Sequence, residues 1–236
     1  MRILAIETSG ERSSVALVQD AQVLSERFFG SRMSLCQTLP CHIQSVVESE
    51  TLADAALDGL AVATGPGSFT GLRLGVAMAK AIAHATGLPL VGVGTHEIIA
   101  WPLAVACEAH ICVLHHARKE DVYTTTYRAG AGVLEVVYDC EVLAVGDLAT
   151  RLAALGGAVV CVGDGVLRHL GVLEGELGQG LRPAPPALAF PRAGVLGAIA
   201  TPRMASAEAA AAHNLRPRYC LISQAERSHG IDLGMG

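Results

Sequence analysis

The chain repeats a pattern, and the repeat limits what it can fold into. Residues 6–15, I-ETSGERSS-V, and residues 114–123, L-HHARKEDV-Y, each run from an apolar strand through a polar turn into a second apolar strand, with equal spacing. A third strand-like run follows in each half, "QVLSERFFG" in the first and "GVLEVVYDCEVL" in the second. The turn signals "GERS" (10–13) and "QDAQ" (19–22) predict that the first three runs form an antiparallel meander. A meander followed by helix and strand, made twice, predicts an α/β fold of two layer domains built from a duplicated β-β-β-α core.

The intervening segments fill in that plan. "SLCQTLPCHIQSVVESE" sets Leu35, Leu39, Ile43, Val46 and Val47 at helical spacing, with Pro40 as a kink or a break. "LDGLAVATG" reads as a buried strand, "FTGLRLGVAMAKAIAHATG" as a helix closed by Gly87, and "LPLVGVG" as another strand. Thr95 then caps a helix to about Trp101, which places the first domain at 1–104. In the second, 105–236, "VGDLATRLAALGG" is helical and "AVVCVGDG" is a strand ending in a glycine turn. "LRPAPPALAFPR" (181–192) is a proline-rich connector, a helix at about 193–213 packs back on the first domain, and 224–236 is a frayed tail.

Composition excludes several classes. At 236 residues, 51% apolar and 17% charged, the chain can bury a core and lies far from the disordered regime. A net charge of −5 without a Lys/Arg block argues against tight autonomous binding of RNA or DNA. The seven cysteines are scattered, odd in number and free of any C-x-x-C, against a disulfide framework or zinc cage. The opening "MRILAIETSG" meets Glu7 before an apolar signal region can form, and no apolar run reaches the length of a membrane span. A cytoplasmic protein is expected.

The most distinctive stretch is "ATGPGSFTGLRLG", residues 63–75, a glycine turn between strand and helix. Backbone N–H groups at such a helix start can hold an anion. The spacing fits neither phosphate fingerprint, because no lysine precedes Lys80 and the third glycine comes one residue late for G-x-G-x-x-G. Within the helix, Gly71, Gly75, Ala79 and Ala83 recur every fourth residue as a flat stripe beside Leu74, Met78 and Ile82. Glycine inside a helix costs about 1 kcal/mol relative to alanine, so the stripe implies close packing. The approaching surface is either the chain's own sheet or a helix of another molecule.

Catalytic groups are sparse. Glu7-Thr8-Ser9-Gly10 closes the first strand where sugar-kinase and actin-type folds place an acid that holds Mg-phosphate. The matching place in the second half carries His115 and His116, leaving Asp164 in "GDG" as the later acid. One acid without its mate is a poor phosphoryl-transfer site. No H-x-x-x-H, H-E-x-x-H or G-x-S-x-G occurs, and neighbouring histidines on a strand point to opposite faces, so no metal site or nucleophile is predicted.

"ILAIETS", "AVATGPGSFTGLRLGVAMAKAIA", "LPLVGVGTHEIIA", "HARKEDVYTTTY", "CVGDG" and the late "RPRY" together resemble, in order, the bacterial TsaB (YeaZ) family over about residues 1–220. The resemblance implies the RNase H-like ASKHA fold of actin, sugar kinases and Hsp70. It implies a non-catalytic subunit in tRNA N6-threonylcarbamoyladenosine synthesis that supports the transferase TsaD, with the ATPase TsaE as further partner. TsaD-type chains carry a metal-binding H-x-x-x-H on the first long helix, whereas the comparable "SRMSLCQTLP" here has no histidine. Many family members begin "DT" where this chain has Glu7-Thr8, and carry an aspartate where His116 stands.

Since such chains pair through helices of the N-terminal layer, the resemblance implies an interface of Leu35, Leu39, Ile43, Gly71, Leu74, Gly75, Met78, Ala79 and Ile82, with Arg73 at its rim. A homodimer is expected for the chain alone, and tRNA contact only indirectly through the complex. No cofactor is expected. Glu7, Thr8, Ser9, Gly163 and Asp164 would be a vestigial nucleotide or anion site. The alternative is a small-molecule kinase or ATPase using Glu7, Ser9 and Asp164 around Mg-ATP. A glycoprotein peptidase would need a metal or nucleophile that the sequence does not offer.

Overall fold

Alternation along single strands divides the core into layers. In β1 (Arg2–Glu7), Ile3 and Ala5 point to one face while Leu4 and Ile6 point to the other, and all four are fully buried. A strand buried on both faces must be the middle of a covered sheet. The computed structural model, which describes residues 1–30, 35–47, 55–205 and 214–218, places it so.

The first sheet takes β2 (Arg12–Gln19) and β3 (Gln22–Gly30) as an antiparallel meander on one side of β1. β4 (Gly59–Gly65) and β5 (Leu90–Gly94) run parallel to β1 on the other, giving the order β3-β2-β1-β4-β5. The second sheet repeats this with β6 (His110–Arg118), β7 (Asp121–Gly130), β8 (Val133–Ala144), β9 (Val159–Val162) and β10 (Leu181–Pro183) in the order β8-β7-β6-β9-β10. The expected duplicated α/β layers are therefore present, strand for strand.

Helices cover the faces. α1 (Leu35–Val47) and α2 (Phe69–Thr86) bury Leu35, Leu39, Ile43, Val76, Ala79 and Ile82 against Leu4, Ile6, Val15, Leu60 and Val62. Pro40 sits inside α1, and the helix runs through it. The opposite face takes α7 (Ala193–Ala205), whose Ala193, Leu196, Ile199 and Ala200 lie on Ile3, Ala5, Ala16 and Val18. Sequence-distant polar groups fix the start of α7. The Ala193 amide donates to Ser14 Oγ at 2.9 Å, and the Gly194 amide donates to the buried Glu26 Oε1 at 2.9 Å. α3 (Thr95–Ala104) lies between the sheets, with Ile98 in the first core and Ile99, Ala100 and Ala104 against Ile111, Val113 and Tyr127 of the second.

The other face of the second sheet is covered by α4 (Val145–Ala154), α5 (Gly165–Arg168) and α6 (Leu170–Leu177). Neither α5 nor α6 is evident in the sequence, where glycines interrupt "GDGVLRHLGVLEGELGQG". β10 is a three-residue strand inside the expected connector, and Pro183 ends its pairing with β9. Gly94, rather than Thr95, precedes the first turn of α3. Cys140 on β8 is disulfide-bonded, a bond that the scattered cysteines did not lead one to expect, while Cys36, Cys41, Cys107, Cys112 and Cys161 are free. No helix among the described residues is long and apolar enough to cross a membrane. The expected end of the last helix, 206–213, and the tail 224–236 lie outside the described residues.

Candidate functional site

The central strands of the two sheets end at one cleft of about 580 Å³. The first half contributes Ser9 and Gly10 from the β1–β2 turn, Pro66, Gly67 and Ser68 from the glycine turn, and Thr95 from α3. The second half contributes His115, His116, Tyr123, Asp164 and Arg168, and the connector adds Phe190 and Pro191. Ser9 and Asp164, from the two ends of the chain's repeat, thus face one space. Gly163 holds the strand end beneath Asp164: its φ is +122°, and a Cβ there would collide with the Leu114 carbonyl.

Glu7 lies behind this wall. Ser9 donates to Glu7 Oε1 twice, from its amide at 2.7 Å and from its hydroxyl, while Oε2 has no partner. Complete burial pushes the carboxyl up to about 7, and the two Ser9 hydrogen bonds hold it back from rising further. A turn is built outward from the same residue. The Ser9 carbonyl accepts the Ser68 amide at 2.6 Å, and Ser68 Oγ in turn accepts the Gly71 amide at 3.2 Å at the start of α2.

Thr8 accounts for the glycine stripe. Its hydroxyl donates to the Gly71 carbonyl at 2.8 Å. A Cβ on Gly71 would strike the Thr8 carbonyl, and one on Gly75 would strike Thr8 Oγ1. The close approach that two helix glycines require is therefore made within the chain, by the end of β1. Ala79, Ile82, Leu35, Leu39 and Ile43 are likewise buried in this chain's own core, so that with Gly71 and Gly75 seven of the nine positions expected at an interface lie inside the chain in this conformation. Leu74 and Met78 are half-buried, and Arg73, Ala77 and Ala81 are exposed one helical turn apart. Ala77 and Ala81 have no signal in a reading that looks for apolar residues at core spacing, because alanine suits either side of a helix.

Across the cleft, imidazoles line the end of β6. His96 is buried between Thr125 Oγ1, 2.7 Å from Nδ1, and His115 Nδ1, 3.1 Å from Nε2. The remaining His115 nitrogen meets the backbone of Ala189. One assignment satisfies all three contacts with both rings neutral: Thr125 donates to His96, His96 to His115, and His115 to the Ala189 carbonyl. Burial drives His96 well below the usual histidine range, with the His115 charge adding to the effect. Burial also lowers His115, against the opposing pull of Asp164 and of Ala189. Asp164 Oδ1 accepts the His116 amide at 2.9 Å. Among the described residues no three His, Cys, Asp or Glu side chains converge as a metal would need.

The family model described as TsaD, tRNA N6-adenosine threonylcarbamoyltransferase, matches residues 34–159. The tRNA threonylcarbamoyladenosine biosynthesis protein TsaB of Bacillus subtilis is 29% identical over 227 residues, covering 96% of each chain. Its Escherichia coli counterpart is 31% identical over 169 residues, 70% of this chain and 72% of that one. A crystal structure from Pseudomonas aeruginosa, described as an uncharacterized protein with similarity to peptidase YEAZ, superimposes with a TM-score of 0.77 at 24% identity, covering 93% of this chain and 99% of the other.

Proposed function

The chain belongs to the TsaB (YeaZ) family and so to tRNA threonylcarbamoyladenosine biosynthesis, and from that premise we propose that it is a non-catalytic binding subunit there. On this reading it pairs with a TsaD-type transferase, supports it, and helps to engage a TsaE-type ATPase in the cytoplasm. The observation that carries the reading is the end of β6. Where a second cleft acid would hold Mg-phosphate, His115 sits in a neutral hydrogen-bonded chain with His96 and Thr125. Glu7, the acid of the first half, stands behind the cleft wall with Ser9 as its partner. Groups committed to neighbours in this way support architecture better than turnover.

The surface offered for pairing is the outer face of α2. Ala77 and Ala81 make a flat exposed strip, flanked by half-buried Leu74 and Met78, with Arg73 stacked over the exposed Phe69 at 3.8 Å. Small side chains let a second helix approach closely, and the apolar flanks supply area to bury. The same face serves a homodimer when the transferase is absent.

Sedimentation velocity of this chain, alone and mixed with its TsaD-type partner, tests both statements. A heterodimer at micromolar concentration is expected, formed at the expense of any homodimer. Ala77→Arg is expected to weaken it at least tenfold without changing thermal stability, because Ala77 is exposed. The absence of any heavier species would overturn the partner role. Calorimetry with Mg-ATP covers the kinase or ATPase alternative, which requires saturable binding at the cleft holding Ser9 and Asp164.

A further inference from the structure

Beside the cleft, and sharing Arg168 with it, lies a second depression of about 470 Å³ that the pairing surface and the glycine turn do not involve. The β6–β7 turn brings Lys119 and Glu120 to one side, and α5 with the start of α6 brings Arg168, His169, Gly171 and Val172 to the other. In a chain of net charge −5 this rim is built to keep its cations available. Arg151, Arg192, Arg203 and Arg218 each pair with a carboxylate. Among the described residues, no carboxylate pairs with Lys119 or Arg168.

The neighbouring acids are instead occupied. Glu120 Oε2 lies 3.6 Å from His169 Nδ1, and Asp164 Oδ1 receives the His116 amide. His169 is the second observation. Its side chain is only 4% exposed, it forms part of the wall of the depression, and its Nε2 has no partner. The ring lies 5.7 Å from that of His116 in the wall of the neighbouring cleft, so of the two unpartnered imidazoles it is His169 that lies under the rim carrying Lys119 and Arg168. Buried nitrogens without partners are costly unless something completes them.

We propose that this depression receives a phosphate group of an RNA backbone, so that the chain itself touches the tRNA of its pathway. The inference rests on the chain's place in tRNA modification and, for its purpose, on the subunit role proposed above. Lys119 and Arg168 are both exposed, which suits phosphates passing along a surface better than a small anion held in an enclosed cradle. Two cations cannot hold RNA tightly on an acidic protein. They add a contact that counts once the transferase has bound the same tRNA.

The test is fluorescence anisotropy of a tRNA transcript with the full chain, alone and together with its TsaD-type partner, at low salt and repeated across a salt series. Lys119→Ala with Arg168→Ala is expected to weaken binding about tenfold and to flatten the slope of log K against log salt by roughly 1.5, as for two lost phosphate contacts. Glu120→Gln, which removes the opposing carboxylate, is expected to strengthen binding about twofold. Inorganic phosphate is expected to compete only weakly, at tens of millimolar. An unchanged slope in the double variant overturns the proposal. So does tight displacement of RNA by inorganic phosphate near about 1 mM, which marks a small-phosphate site instead. Sedimentation with the TsaD-type partner separates the two readings. A double variant that pairs normally but binds RNA like its parent sinks the RNA contact alone. A parent chain that binds RNA but never pairs sinks the subunit role alone.

Discussion

β1 and β6 hold the same place in sheets of the same order, yet their ends are chemically opposite. β1 ends in a buried carboxyl that only Ser9 relieves, and β6 runs into an imidazole wired on both sides into neutral hydrogen bonds. The first end spends its neighbours on packing: Thr8 is locked to Gly71 and Gly75, and Ser9 to Ser68. The second joins α3, β6, β7 and the connector through His96, Thr125, His115 and Ala189. A duplicated frame therefore fixes where side chains converge but not what they do there. One copy anchors a helix, and the other ties the two halves together.

The largest effect should come from the packed end of β1. Gly75→Leu is expected to lower stability by roughly 3 kcal/mol or more, because its first carbon already overlaps Thr8 Oγ1 and the backbone behind it cannot yield. Gly163→Val should cost as much in the second half, where a positive φ and the Leu114 carbonyl act together. Urea denaturation of the two variants measures this directly. A Gly75→Leu protein with the parental midpoint would mean that the stripe is free to meet another molecule after all, and the assignment of α2's outer face would have to be reopened.

The next effect separates the two ends by sign. The Glu7 carboxyl is pushed up to about 7 from an ordinary 4.5, so the folded state holds its proton more tightly than the unfolded chain. Its contribution is full below about pH 4.5, declines as pH rises, and is gone above about 7, a span of roughly 3 kcal/mol. His96 and His115 are lowered from 6.5, so their contribution is full above that value and is lost as pH falls from it through their lowered folded-state values. Between about pH 4.5 and 6.5 the two contributions therefore oppose each other, and above 6.5 only the Glu7 decline remains. Glu7→Gln should flatten the alkaline limb and be the more stable protein at pH 8, and His96→Gln should soften the acid limb. Thermal melts from pH 5 to 8 read both, and identical alkaline limbs for parent and Glu7→Gln would show that Glu7 keeps its charge when buried.

What the sequence disclosed follows from the same division. The longer strands were legible because alternation and glycine turns act locally, and the equal spacing of residues 6–15 and 114–123 announced the repeat. The function of the stripe was not legible. Gly71 and Gly75 demand a close neighbour, but only the fold shows that the neighbour is Thr8, sixty-odd residues earlier in the chain. The partners of His115 were equally hidden, since His96, Thr125 and Ala189 come from three other elements. β10 escaped notice because three residues carry no period, and its pairing with β9 is fixed by the sheet already present.

The smallest effect tests whether the halves are also tied at the surface. The Arg218 amide donates to the Thr64 carbonyl of the first sheet at 2.7 Å, while its guanidinium reaches Asp139 of the second at 3.2 Å. Both side chains are about two-thirds exposed, so water and salt compete for each charge. Asp139→Asn should therefore cost about 0.5 kcal/mol or less at moderate ionic strength, and less still at high salt. The tie that matters would then be the buried one through His96 and His115, with no help from the exterior pair. If Asp139→Asn costs well above 1 kcal/mol, or splits a single unfolding transition into two, the outer bridge is what couples the sheets, and the neutral imidazole chain is only one of two latches.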